Sequence, residues 1–86
     1  MPTVENIVKA MRANSKDVKF ADCLKVCVYY FSPFGEPRVN GSHHIFHKPW
    51  KDDPRINIQN RKGSVASYQV KQVIAAIDKL EGEHHV

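Results

Sequence analysis

Three histidines lie within the run Gly41-Ser42-His43-His44-Ile45-Phe46-His47. A glycine-serine turn delivers two adjacent imidazoles and then enters an apolar strand. The unperturbed imidazole pKa is about 6.5, so such a residue can give or take a proton near neutrality, or bind a metal. A strand histidine with no chemical role is the plain alternative, and spacing alone does not separate the two. On an alternating strand His43, Ile45 and His47 share one side while His44 and Phe46 share the other. The three rings therefore do not readily converge on one zinc ion, and no nearby carboxylate completes a familiar ligand set. We assign neither a metal nor any other cofactor to the stretch.

The elements that must position these residues can be read in chain order. Val4, Ile7, Val8 and Met11 recur at helical spacing, which predicts an amphipathic helix from Thr3 to about Ala13, with Thr3 as N-cap and Glu5 in the first turn. We read residues 1–15 as an N-terminal helical extension that packs on the domain. Phe20, Leu24, Cys27, Val28 and Phe31 form a second stripe, with Lys19, Asp22 and Lys25 off it. Tyr29 and Tyr30 beside it can either pack or face solvent. Ser32-Pro33-Phe34-Gly35 ends that helix. From Pro37 the period becomes two: Arg38-Val39-Asn40, then the Gly41-Ser42 turn, then His43 to Lys48. Pro49 to Pro54 is loop by composition, and Arg55-Ile56-Asn57-Ile58-Gln59 alternates as a half-buried strand. Asn60 to Ser64 reads as a basic turn. The last helix carries Val70, Val73, Ile74, Ile77 and Leu80 on one face, with Ser67 as N-cap and Gly82 as stop. The predicted core spans 16–82, and 83–86 is a frayed tail.

The expected fold is α+β in two layers, a three-stranded antiparallel sheet with helices on one face, in the order α-α-β-β-β-α. One domain accounts for all 86 residues. A hydrophobic fraction of 42% supports a packed core and makes wholesale disorder a poor description. The formal charge of +4 leans towards an anionic partner. No apolar run reaches the roughly 18 residues of a membrane span, and the N-terminus lacks a basic-then-apolar signal pattern. A cytoplasmic location is the expectation. Cys23 and Cys27, the two cysteines, are spaced i, i+4, which suits packing on a helix better than a structural disulfide.

Three stretches resemble the HicA family, the ribonuclease toxins of bacterial HicA–HicB toxin–antitoxin pairs. Gly41-Ser42-His43 with Phe46 looks like the family's signature turn and histidine. Arg55-Ile56-Asn57-Ile58-Gln59 is similar to the third strand of one branch, and Tyr68-Gln69-Val70-Lys71-Gln72-Val73 to the opening of that branch's last helix. The resemblance runs from Gly35 to Leu80, and the helix from Phe20 to Phe31 would be the family's first. It implies a fold like a double-stranded-RNA-binding domain, with helices on one face of a three-stranded sheet. Many members carry a second histidine after the third strand, where this chain has Gln59-Asn60-Arg61-Lys62.

The resemblance further implies an endoribonuclease acting on mRNA without metal, with His43 as the catalytic residue. A HicB-type antitoxin would neutralise it, and a homodimer or a hetero-oligomer with the antitoxin is open. RNA carries its own nucleophile, the ribose 2′-hydroxyl, and a positioned imidazole can take that proton. The charge developing on phosphorus calls for cationic or N–H donors. Arg38, Arg61 and Lys62 are the candidates, and Ser42 could orient the phosphate. His47, on the same side as His43, is the candidate proton donor, against the reading of an exposed strand histidine. His44 is either structural or an RNA contact. Trp50 can stack on a base or cover a core edge, and Lys48, Lys51 and Arg55 flank it along a possible phosphate track. A non-catalytic RNA-binding module of the same fold is the alternative, and a purely structural subunit a third.

Overall fold

The computed structural model describes residues 3–48 and 55–84. The readings at Trp50, Lys51, the 49–54 loop and the last two residues lie outside them. Helix α1 spans Val4–Ala13, capped by Thr3, whose hydroxyl accepts from the Asn6 N–H. Strand β1 is Val18–Lys19 and helix α2 is Phe20–Phe31. A 3-10 turn, Ser32–Phe34, leads to β2 (Arg38–Asn40), β3 (His43–His47) and β4 (Arg55–Gln59). Then come β5 (Ser64–Val65) and α3 (Ser67–His84). Among the described residues no helix is long and apolar enough to cross a membrane.

The molecule is an α+β domain whose main sheet is the antiparallel meander β2-β3-β4. The α2-β2-β3-β4-α3 part follows the expected order, and α1 packs across α2 and α3. Residues 1–15 are more than an appendage, because Ile7, Val8 and Met11 join the same buried cluster as Phe31, Phe46, Ile58 and Ile77. An Arg12–Asp78 ion pair ties α1 to α3 at the surface. Its hydrogen bond to Arg12 holds the Asp78 carboxyl below the usual range.

Four local expectations need correction. Val28, placed on the buried stripe of α2, is 43% exposed. The covered side of α2 keeps Phe20, Cys27 and Phe31 of the expected stripe and adds Cys23 and Val26. Ser67 is the first helical residue of α3 and not its cap; the Ala66 carbonyl accepts from the Gln69 and Val70 N–H groups. Gly82 does not stop α3, which continues to His84. The segments flanking α2 and α3 also form a small antiparallel pair, with Val18 opposite Val65 and Lys19 opposite Ser64.

That small sheet depends on the Arg61–Ser64 turn. Lys62 and Gly63 both have positive φ, 52° and 88°, which a two-residue hairpin of this twist requires. The Asn60 side chain accepts from the Gly63 N–H, and the Gly63 carbonyl accepts from Phe20 N–H at the start of α2. Both cysteines are free and buried. A hydrogen bond to Cys23 and burial push the Cys27 thiol well above its ordinary value, so the pair acts as packing volume. Tyr29 faces solvent, whereas Tyr30 packs on the core edge with its hydroxyl donating to Glu81.

Candidate functional site

Strand register decides which side chains share a face. His44 and Ile58 are partners, as are Phe46 and Ile56, and Phe46, Ile56 and Ile58 are buried under the helices. The other face carries rows across the strands: Asn40-His43-Gln59, Arg38-Ile45-Asn57, and the pair His47-Arg55. Among the described residues this open face holds no carboxylate. It presents Arg38, Arg55, two imidazoles and three carboxamides.

His43 opens β3 directly after the Gly41-Ser42 turn, where Gly41 takes a φ of +62° that glycine adopts without strain. The ring is half-buried, and its Nδ1 lies 3.2 Å from Asn57 Oδ1. Arg38 is a diagonal neighbour across β2, a relation that separates residues by about 7 Å. Ser42 is exposed, with its hydroxyl accepting from Gln59 Nε2 at 3.4 Å and its carbonyl accepting from Asn60 N–H. The chain therefore leaves β4 beside Ser42, and the exposed Arg61 and Lys62 follow from that corner.

The other expected residues are placed differently. His47 shares the face of His43 but lies four residues along β3, about 13 Å at strand rise. It does not stand beside His43 as a second proton-transfer group. Its ring instead packs on the 3-10 turn, where a Cβ at Gly35 would come 2.8 Å from His47 Cδ2. His44 turns to the helix side and meets the Phe20 ring at 4.9 Å between centroids. That makes it a packing residue at the core edge, away from the open face. Lys48 lies at the far end of β3 with Arg55, on a groove that also takes in Gln72 and Lys79 of α3.

Two side chains that the sequence reading passed over complete the corner. Asn57 touches His43, and Gln69 of α3 is only 4% exposed, with its Oε1 accepting from the Gln59 N–H at 3.1 Å. Gln69 precedes Val73 by four residues, so a polar side chain at a core-facing position was the available signal. Its bond satisfies a β4 edge N–H and ties that strand to the first turn of α3. Gln69→Leu leaves the N–H without its partner and is expected to lower stability by about 1–3 kcal/mol. Urea unfolding measures this; an unchanged midpoint would mean that water replaces the carboxamide without loss.

The fold and site define an α+β domain that carries a histidine at a glycine-serine hairpin on an open, cationic sheet face. Comparison with protein-family models, curated proteins and solved structures found no match.

Proposed function

We propose that this chain is the toxin of a type II toxin–antitoxin pair of the HicA–HicB kind. It would be a cytoplasmic endoribonuclease that cleaves mRNA and is held inactive by a HicB-type antitoxin covering His43. The observation that carries this reading is the half-buried His43 ring on a sheet face that holds no carboxylate among the described residues, one residue from Ser42 and diagonal to Arg38. Among the described residues of that face a polyanion meets no like charge, and the guanidinium offers the donors a phosphorane-like transition state needs.

In the proposed step His43 takes the proton of a ribose 2′-hydroxyl. The 2′-oxygen bonds to the adjacent phosphorus as the bond from phosphorus to the 5′-oxygen breaks. Water supplies the proton to the departing 5′-oxygen. The products are a 2′,3′-cyclic phosphate and a 5′-hydroxyl, and no metal is needed because the RNA contributes the nucleophile. A single imidazole supplies base catalysis alone, which fits a slow enzyme.

One observation favours the second reading, a non-catalytic RNA-binding module. The separation of His47 from His43 leaves no second imidazole beside the site among the described residues. The two readings part on a labelled RNA incubated with the purified chain in EDTA. Fragments ending in cyclic phosphate support the ribonuclease; retarded but intact RNA supports the binding module. Expression without a partner gives a cellular check, since a ribonuclease toxin should arrest growth.

A further inference from the structure

Two carboxamides approach the His43 ring from β4. Gln59 stands directly opposite in the register, and Asn57 is two pairs further along, on the same face. Gln59 is committed elsewhere: its side chain donates to Ser42 Oγ, and its backbone N–H is held by Gln69. Asn57 turns its oxygen to Nδ1 of the ring at 3.2 Å. A carboxamide oxygen can only accept, so the neutral imidazole must carry its hydrogen on Nδ1. Nε2 is then the nitrogen with the lone pair. Free imidazole side chains in water favour the opposite tautomer, with the hydrogen on Nε2.

We infer that Asn57 is the positioning residue of this site, holding His43 in the Nδ1–H tautomer so that Nε2 faces the substrate as the proton acceptor. The inference rests on the ribonuclease reading for its catalytic part, while the tautomer can be observed without any RNA. The second nitrogen of a working histidine is commonly oriented by an acceptor, and a carboxylate would serve equally well as a hydrogen-bond partner. A carboxylate, however, would put a negative charge beside the position of the scissile phosphate. Asn57 gives the orientation without the charge, in keeping with a face whose charged groups, among the described residues, are Arg38 and Arg55. The substrate class that follows is a polyanion bound with its backbone across β2, β3 and β4.

Nitrogen-15 spectra of the full chain labelled at histidine read the tautomer directly. The parent is expected to show Nδ1 protonated and Nε2 bare at high pH. Asn57→Leu, close in shape but with no acceptor, should move His43 to the Nε2–H form and lower the single-turnover cleavage rate about 10- to 100-fold at unchanged RNA affinity. Asn57→Asp should keep the parent tautomer and hold the single-turnover rate within about threefold, yet weaken RNA binding about fivefold, the effect of one added charge at close range in water. A parent spectrum with Nε2 protonated, or a Leu variant that keeps both tautomer and rate, overturns the inference. If the tautomer switches as expected but the parent never cleaves RNA, the orienting bond stands and the ribonuclease reading, with the catalytic part of the inference, falls.

Discussion

His43→Ala is expected to reduce RNA cleavage by about 10²–10⁴-fold, the usual contribution of a positioned general base, while RNA binding changes by less than about threefold. The asymmetry follows from where charge sits on the open face. Under the proposed function, Arg38, Arg55 and the Arg61-Lys62 turn would supply electrostatic attraction that does not depend on the ring. On the proposed ribonuclease reading the ring would supply only the proton transfer. Because His43 lies on the face away from the helices, its removal leaves Phe46, Ile56 and Ile58 packed as before. Thermal unfolding should therefore shift little, within about 0.5 kcal/mol.

The measurement is a paired assay of cleavage and binding with EDTA present in both. Equal cleavage by parent and variant would assign the activity to something other than His43. Binding by both with cleavage by neither would replace the enzyme with an RNA-binding module. Cleavage by the parent that disappears on adding EDTA would mean that a metal takes part after all.

Period and turn chemistry made most of the architecture legible. Val4, Ile7, Val8 and Met11 mark α1, and the bounds of α2 follow from Phe20 and the Ser32-Pro33 break. The β2-β3-β4 meander follows from alternation around Gly41-Ser42. Elements too short to hold a period stayed hidden. Val18–Lys19 and Ser64–Val65 have two residues each, so no alternation could distinguish them from loop. Val28 was misplaced because a stripe read from one helix does not know which neighbours will cover its flanks. At the site, His43 was legible as a residue type at a turn, whereas Asn57 was not. Its contact arises from register: with His43 opposite Gln59, the residue two positions back along β4 reaches the ring diagonally. A strand sequence states which side a residue takes but not which partner it meets.

Phe46→Ala is expected to cost about 3–5 kcal/mol, the range for deleting a fully buried phenylalanine. A chain of 86 residues commands a total stability of roughly 4–13 kcal/mol, so this one ring is a large share of it. Phe46 is fully buried on β3, opposite Ile56, where sheet and helices meet. Its cross-strand partner Ile56 is β-branched and stiff, and so poorly suited to swing into the space. The urea midpoint should fall by roughly 1–5 M at ordinary denaturant sensitivities. Tyr29→Ala, on the exposed side of α2, should change stability by less than about 0.5 kcal/mol. Because Phe46 and His43 lie on opposite faces of one five-residue strand, the core substitution should remove cleavage and binding together. His43→Ala should remove cleavage alone. A Phe46→Ala protein that melts within about 1 kcal/mol of the parent would show that β3 is held by its ladder with β2 and β4, and that the ring is not what fixes the strand carrying His43 to the helices.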